Sequence, residues 1–343
     1  MRRIALAGFG SIAEHGHLPA LRALGYEVVA VADVTPERLI RAQALLPGAE
    51  LFSSPEALIA SAQAEVLDIC APPSTHADWM VAACERGIPA IVCEKPFVLS
   101  IDDYARVAAA RARSGATILS VNNWMYSDLY QTVAGVLASG RIGELRSIRL
   151  HTARTGAARG HAGWSPQWRI DLAHAGGGIV LDHGWHQLYL LLNWFGSQVE
   201  SVSARTRTAD PRHAPVEDEA DIELHFPGGE AALELRWTAE DRSNGGDVRG
   251  TTGEIAIYDG SIVVHNGAIV EEIPFGGRLT ESSSHPDWFE SMFAVDIVDT
   301  GRDEAARTFA EAGTLVSLVT AIYRSARMDG AACRPSLQVA CRE

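Results

Sequence analysis

Short apolar runs alternate with helical stretches through the first third of the sequence, and no other feature constrains the fold more. The helical stretches are rich in Ala, Leu and Arg, and several of them end at glycine, as helices commonly do. Such alternation predicts βαβ units and a parallel, doubly wound sheet. The predicted strands are 4–7, 28–32, 66–71, 90–93 and 117–121, and the predicted helices are 11–24, 36–46, 75–86 and 101–113.

After about residue 123 the pattern changes to runs in which apolar and polar residues alternate. This alternation is typical of an antiparallel sheet with one buried face. One helix is predicted over 178–193 and a final one over about 304–328, with loops at 154–169 and 205–215. We therefore predict a Rossmann domain over 1–123 and an α+β domain over 124–343. The alternating runs are 145–151, 220–226, 231–237, 254–258 and 261–264.

Composition limits the classes of function. The 343 residues suffice for two domains. The net charge of −14 repels a phosphate backbone and argues against nucleic acid as a partner. No apolar stretch approaches the length of about 18 residues that a membrane span needs, and the N-terminal apolar run is too short for a signal peptide. The five cysteines form no C-x-x-C pair, which favours reduced thiols in a cytoplasmic protein.

A glycine-rich motif follows the first predicted strand. The sequence Gly8-Phe9-Gly10-Ser11-Ile12-Ala13 matches G-x-G-x-x-A, in which glycines allow a tight turn and close approach to a pyrophosphate. Asp33 ends the second strand, 20 positions after Ala13, where a ribose-binding carboxylate is expected. A carboxylate there favours NAD over NADP, although Arg38 leaves NADP as an alternative.

Two further segments follow parallel strands at their carboxyl ends, where open α/β sheets bind ligands. Residues 70–76 include Ala71, Pro72, Pro73 and His76, and residues 93–96 include Glu94, Lys95 and a proline that fixes the turn. A Glu-Lys pair after a strand is more often a surface ion pair. Its position at this edge nevertheless predicts that Glu94 and Lys95 face the cofactor.

The helix predicted over 178–193 carries Asp182 and His186, four positions apart on one face of an apolar helix. A buried histidine paired with its aspartate explains the pattern structurally. A metal site is a third interpretation, because His183, His15 and His17 add potential ligands. No H-E-x-x-H or C-x-x-C spacing supports it, so we predict no metal.

Taken in order, the glycine motif, Asp33, 72–76, Glu94-Lys95-Pro96 and the Asp182/His186 pair resemble the Gfo/Idh/MocA family, named for glucose-fructose oxidoreductase and inositol dehydrogenase. The resemblance implies an NAD(H)-dependent dehydrogenase that interconverts a secondary alcohol and a ketone on a sugar, sugar derivative or cyclitol. It also implies that the second domain has a large open sheet used for homodimer or homotetramer contacts.

By the same resemblance, Lys95 polarises the substrate oxygen, His186 acts as general acid or base, and Asp182 orients or tunes them. The chemistry agrees, because an alcohol releases hydride only as its hydroxyl proton leaves, and a histidine suits that transfer near neutral pH.

The sequence also departs from the family pattern. It has Asn122-Asn123-Trp124 where many members have an arginine followed by an aromatic residue, and Tyr189 where many have an acidic residue. These changes leave the substrate open. Two other functions remain: an NAD-dependent lyase or glycosidase that oxidises its substrate transiently, and a non-enzymatic sensor of dinucleotide or sugar. The candidate substrate-binding residues are Asn123, Trp124, Trp164, Trp168, Arg169 and His285.

Overall fold

The computed structural model describes residues 2–61, 63–161, 163–281, 285–295 and 301–337. The chain divides into two compact units, each built from three segments. The first unit comprises Met1–Asn123, Arg159–Gly176 and Ser284–Gly313, and the second comprises Trp124–Ala158, Gly177–Ser283 and Thr314–Glu343. Within the described ranges, no helix combines the length and apolar character needed to cross a bilayer.

The first unit contains a six-stranded sheet in the order β3-β2-β1-β4-β5-β6. All neighbouring strands are parallel. This order is that of dinucleotide-binding folds, and it confirms the predicted parallel, doubly wound sheet. The strands are β1 (Arg3–Ala7), β2 (Glu27–Ala32), β3 (Glu50–Phe52), β4 (Val66–Ile69), β5 (Ala90–Cys93) and β6 (Thr117–Ser120).

The second unit contains an eight-stranded sheet in the order β14-β13-β12-β11-β7-β10-β9-β8, in which only the β7/β10 pair is parallel. Its strands alternate buried and exposed residues, which confirms the predicted mostly antiparallel sheet with one buried face. The strands are β7 (Leu145–Ala153), β8 (Ser201–Arg207), β9 (Glu219–Phe226), β10 (Gly229–Arg236), β11 (Ser243–Gly250), β12 (Gly253–Ile257), β13 (Ser261–Asn266) and β14 (Ile269–Pro274).

Two helices begin with a wider π-helical turn, Ala13–His17 before α1 and Val180–Gly184 before α8. Both turns carry histidines, and π-helical turns often mark functional sites. The helices are α1 (Leu18–Ala23), α2 (Pro36–Leu45), α3 (Pro55–Ser61), α4 (His76–Arg86), α5 (Ile101–Ser114), α6 (Asp128–Ala138), α7 (Leu172–Ala175), α8 (Trp185–Phe195), α9 (Pro286–Phe293) and α10 (Arg302–Arg327).

The cysteines of the described ranges are buried and form no disulfide: Cys70, Cys84, Cys93 and Cys333. Cys341 lies outside the described residues.

Candidate active site

The glycine-rich turn joins β1 to the first helical turn. Gly8 has φ +96°, and a Cβ there would collide with the carbonyl oxygen of Cys70. At Gly10, by contrast, a Cβ would meet nothing within 4 Å. The turn is therefore packed tightly against β4 on one side and open on the other. This arrangement suits the close approach of a pyrophosphate to the backbone.

The carboxylate of Asp33 is tied to this turn. Its Oδ2 accepts a hydrogen bond from the Phe9 N–H at 2.8 Å, and its Oδ1 accepts one from the Thr35 N–H at 2.8 Å. Each carboxylate oxygen has a second lone pair, so both can still accept from ribose hydroxyls. Asp33 can thus hold the turn and bind a ribose together.

Arg38, the residue that left NADP as an alternative, has partners of its own. Its Nε donates to the Phe9 carbonyl at 2.5 Å, and its Nη2 donates to Glu14 at 2.8 Å. The pKa of Glu14 is lowered overall: burial raises it, but hydrogen bonds from Arg41 and Arg38 lower it more. Because the Arg38 charge is already paired, the geometry at this end of the turn favours NAD.

His76 connects the segments that follow β4 and β5. The side chain is fully buried, with Nε2 2.9 Å from the Ala71 carbonyl oxygen and Nδ1 3.0 Å from that of Pro96. Burial lowers the pKa of His76. Pro72 is half-buried and Pro73 buried beside it. The imidazole therefore supports the loops that present Ala71 and Lys95.

Lys95 follows β5, and its peptide bond to Pro96 is cis. The side chain is half-buried, and its backbone N–H donates to Glu94 Oε2 at 2.9 Å. Lys95 is the only lysine among the 29 Lys and Arg residues of the sequence. An arginine cannot lose its proton in a protein, whereas a lysine can. Lys95 therefore supplies the one side-chain amine of the sequence.

A fully buried histidine lies directly behind Glu94. His17 Nδ1 is 2.8 Å from Asp68 Oδ2, and its Nε2 is 3.0 Å from Glu94 Oε1. The ring packs against Phe289 at 4.3 Å and Phe293 at 5.3 Å between centroids. In the sequence alone, His17 stands out only as a potential metal ligand. Its two carboxylate partners lie far away in the sequence, so no local pattern could show this arrangement.

Cys70 also touches this cluster, with Sγ 3.4 Å from His17 Nδ1. Potential metal-binding atoms of His17, Asp68 and Cys70 lie within 4.8 Å of one another. Burial raises the pKa of the Cys70 thiol to about 12. The three side chains form a buried hydrogen-bonded cluster behind Glu94.

In the second unit, the structure brings His186 and Trp124 together. The two rings stack with centroids 4.4 Å apart and planes at 9°. Tyr189 completes the group: its hydroxyl lies 2.8 Å from His186 Nδ1 and accepts the Trp124 N–H at 3.0 Å. The imidazole is thus fixed by stacking on its face and by a hydrogen bond at one nitrogen.

Asp182 lies in the π-helical turn that precedes α8. Its Oδ2 is 3.3 Å from Nδ1 of His183, and the indole nitrogen of Trp237 also lies 3.3 Å from that Nδ1. Both Asp182 and His183 are largely buried. The aspartate is therefore held beside an imidazole at the start of the helix that carries His186.

Glu217 fixes the start of this helix, and no sequence motif pointed to it. Its buried Oε1 accepts hydrogen bonds from the N–H groups of Gly178 and Val180, at 2.9 and 3.2 Å, and from the Tyr323 hydroxyl at 2.8 Å. A Cβ on Gly178 would collide with the Glu217 carbonyl oxygen. Glycine at this position thus lets the carboxylate reach the helix start.

Comparisons with known proteins assign the family. Residues 2–123 match the oxidoreductase family with an NAD-binding Rossmann fold, and residues 130–256 match the GFO/IDH/MocA C-terminal domain. The chain belongs to the Gfo/Idh/MocA family. It is an NAD-binding oxidoreductase, and the Rossmann residues described above are suited to hold that cofactor.

Named relatives of this Gfo/Idh/MocA protein include two sugar or cyclitol enzymes. A 1,5-anhydro-D-fructose reductase of Ensifer adhaerens is 25% identical over 74% of this chain and 75% of the relative. An inositol 2-dehydrogenase of Pseudomonas savastanoi pv. phaseolicola is 30% identical over 44% of this chain and 45% of the relative. A levoglucosan dehydrogenase solved with NADH and L-sorbose shares the fold, with a TM-score of 0.84, 19% identity and coverage of 98% of this chain and 99% of that one.

The remaining predicted site residues of this family member are distributed over both units. Lys95, Asn123, Trp168, Arg169 and His285 belong to the first unit, and Trp124, Asp182 and His186 belong to the second. The Arg169 guanidinium stacks on Trp168 at 4.3 Å. The His285 ring stacks on that of Trp288 with centroids 3.6 Å apart. Trp164 is 40% exposed and packs edge-on against His174. Their contact with substrate stays a prediction.

Proposed function

We propose that this Gfo/Idh/MocA protein is an NAD(H)-dependent dehydrogenase or ketoreductase of a sugar, sugar derivative or cyclitol. The supporting relatives are named as a reductase of anhydrofructose and a dehydrogenase of inositol. The observation that carries the proposal is the sole lysine of the chain, placed directly after β5 in the Glu94-Lys95-Pro96 segment. An oxidoreductase of alcohols needs such a group to bind or deprotonate the reacting oxygen.

In the proposed reaction, a nicotinamide cofactor held by the glycine-rich turn and Asp33 would supply hydride transfer to and from the alcohol carbon. The Lys95 amine donates a hydrogen bond to the reacting oxygen and stabilises the charge that develops there. His186 takes the hydroxyl proton during oxidation and returns it during reduction. Asp182 orients these groups. Each of the three side chains thus has a separate task on one C–OH group.

Replacement of Lys95 tests this proposal. We expect Lys95→Ala to lower kcat/KM by roughly 10²- to 10³-fold, the usual contribution of a donor that stabilises developing charge, while leaving NADH affinity largely intact. Lys95→Arg keeps the charge but replaces a compact ammonium with a larger planar guanidinium, so it is expected to be impaired as well. NAD reduction and NADH fluorescence titration measure the two properties. Arg113→Ala removes an exposed cation of the same unit and serves as the control.

Full activity of Lys95→Ala would overturn the assignment. The same assays separate the other two functions: a lyase or glycosidase would form product without net NADH change, and a sensor would bind ligands without turnover.

Because the chain has one lysine, reductive methylation with ¹³C-formaldehyde labels only Lys95 and the N-terminal amine. NADH and substrate are expected to shift the Lys95 signal.

We also propose that the protein forms a homodimer or homotetramer through the open sheet. The outward positions of β8 to β10 carry charged residues, and Arg236 pairs there with Asp221 and Glu234 at 2.5 and 3.3 Å. Light scattering coupled to size-exclusion chromatography tests the oligomeric state, and a monomeric mass would overturn the proposal.

A further inference from the structure

Arg154 is a buried cation that no acidic side chain of the described ranges pairs with. The residue follows β7 and is only 6% exposed. Its Nη1 donates to the carbonyl oxygens of Ala153 and Ser243, at 2.7 and 3.1 Å, and its Nη2 donates to Asn244 Oδ1 at 3.2 Å. All three acceptors are neutral. Buried charges are normally paired, because desolvation of an unpaired charge is costly.

The guanidinium group still has hydrogen-bond donors to offer. It carries five N–H bonds, of which three are used by the acceptors above. The Nε–H and one N–H of Nη2 have no partner in the described part of the chain. Asn244 Nδ2 is also buried without a partner, because Asn244 uses its oxygen to accept from Arg154 and Thr152. Unused donors of Arg154 and Asn244 therefore lie close together.

A hydrogen-bond network connects Arg154 to the helix that carries His186. Thr152 Oγ1 donates to Asn244 Oδ1 at 3.1 Å and accepts from Gln187 Nε2 at 2.7 Å. Gln187 is fully buried and directly follows His186 on α8. The guanidinium is thus held at a fixed position relative to the candidate catalytic histidine.

The surroundings of Arg154 include a second unpaired cation. Burial and the nearby charge of Arg242 lower the pKa of Arg154 to about 10, whereas Asp182, Tyr130 and Asp259 act in the opposite direction with smaller effects. Arg242 is exposed and has no ion-pair partner among the described residues. Two unpaired arginines are close together in a chain with a net charge of −14.

We propose that Arg154 binds an anionic group of the substrate, assisted by Arg242 and Asn244. Arginine binds carboxylates and phosphates through two parallel N–H bonds, and Nε and Nη2 are the neighbouring nitrogens with donors left. The substrate class is then a sugar acid or a sugar phosphate rather than a neutral polyol. This inference rests on the proposed dehydrogenase function and narrows it.

Matched pairs of probes test the inference. The pairs are D-gluconate with D-sorbitol, D-glucuronate with D-glucose, and D-glucose 6-phosphate with D-glucose. Calorimetric titration of the NADH-bound protein measures affinity at constant ionic strength, and NAD reduction measures turnover. We expect at least one acidic probe to bind about tenfold or more tightly than its neutral partner, as expected for hydrogen bonds to a charged group. The pair with the largest preference for its acidic member shows whether the site favours a carboxylate or a phosphate.

Single substitutions test which side chains cause the preference for the acidic probe. Arg154→Gln is expected to abolish the preference for the acid, and Arg242→Gln, at an exposed position, is expected to weaken it without affecting folding. Arg149→Gln removes an exposed arginine of the same strand, β7, and is expected to keep the preference. Equal affinity for acidic and neutral members in every pair would overturn the inference, as would an acid preference that survives in Arg154→Gln.

Failure of this inference differs from failure of the proposed function. Turnover of neutral polyols that is indifferent to Arg154→Gln would keep the dehydrogenase and remove the anion site. Arg154-dependent binding of an acid without any NAD reduction would keep the anion site and remove the dehydrogenase.

Discussion

The hydroxyl of Tyr189 holds the imidazole of His186 in place. It lies 2.8 Å from His186 Nδ1 and also accepts the backbone N–H of Trp124. A neutral phenol orients the ring, but it adds no negative charge that would stabilise the imidazolium. At the scale of single residues, this protein thus positions its candidate base by hydrogen bonding and stacking.

Removal of that hydroxyl is expected to slow the reaction. Tyr189→Phe should lower kcat by about tenfold, because it deletes a hydrogen bond worth roughly 0.5–1.5 kcal/mol and leaves the Trp124 N–H without its acceptor. NADH affinity should stay unchanged, and steady-state kinetics with fluorescence titration measures both. The control is Tyr258→Phe, at a position that is 55% exposed. An unchanged kcat would show that stacking alone fixes the ring.

At the scale of secondary structure, one buried imidazole connects the helical turn Ala13–His17 with the ends of β4 and β5. Both nitrogens of His17 face carboxylates, and a neutral imidazole has only one N–H to donate. The geometry therefore indicates an imidazolium. The pKa of His17 is raised: burial opposes the charge, but the charges of Asp68 and Cys70 and the hydrogen bonds to both side chains together outweigh burial.

Loss of this cation is expected to destabilise the junction. His17→Phe keeps an aromatic ring against Phe289 and Phe293 but leaves the carboxylates of Asp68 and Glu94 uncompensated, so it should cost about 3–5 kcal/mol of unfolding free energy. Urea unfolding near neutral pH measures this cost, and His15→Phe, at an exposed position of the same turn, is the control.

The sign of the pH dependence follows from the raised pKa of His17. Its stabilising contribution is fully present below the pKa of the unfolded chain and is lost as pH rises through the folded-state pKa. The difference in unfolding free energy between wild type and His17→Phe should therefore become smaller in alkaline solution. A difference that grows with pH would contradict the imidazolium.

Local sequence patterns predicted those strands and helices whose own residues show the pattern. β1, β4 and β5 are apolar runs with β-branched residues, and Gly87 and Gly115 end α4 and α5 in the left-handed conformation. β11 escaped prediction because its residues, Ser-Asn-Gly-Gly-Asp-Val-Arg-Gly, show no apolar alternation. The strand needs glycine instead, since a Cβ on Gly246 would collide with the carbonyl oxygen of Arg149 on β7.

The site residues that belong to short sequence motifs were predictable, and the others were not. The glycine motif, Asp33 and Lys95 belong to short motifs with fixed spacing, and the structure places them at the turn after β1 and the ends of β2 and β5. Glu217 and Arg154 belong to no motif. Their importance comes from partners that only the folded chain brings near, such as Gly178 for Glu217 and Asn244 for Arg154.

At the scale of the whole molecule, the buried carboxyl of Glu311 couples stability to pH. It accepts a hydrogen bond from Asn122 at 2.8 Å and lies 3.3 Å from Arg307, with its side chain 9% exposed. Burial raises the pKa of Glu311 to about 7, despite the opposing charge of Arg307. The folded protein thus binds a proton that the unfolded chain releases near its ordinary pKa of 4.5.

Stability should therefore fall as pH rises from about 4.5 to about 7, and then stay level with respect to this group. Glu311→Gln should remove this dependence and raise the unfolding free energy above neutral pH by up to about 3 kcal/mol. Denaturant unfolding at about pH 5 and about pH 8 measures the effect. Glu85→Gln, at an exposed position, should leave the dependence in place. Equal pH profiles for Glu311→Gln and wild type would contradict the assignment.

The order of segments in the two units has a consequence for how such a protein can be taken apart. The chain passes from one unit to the other after residues 123, 158, 176, 283 and 313. No single backbone cut separates the units, because at least one of the two fragments would contain pieces of both. Neither unit is encoded by one uninterrupted stretch of gene. A single recombination event therefore cannot transfer one whole unit without also transferring segments of the other. The coding sequences of the two units are therefore inherited together.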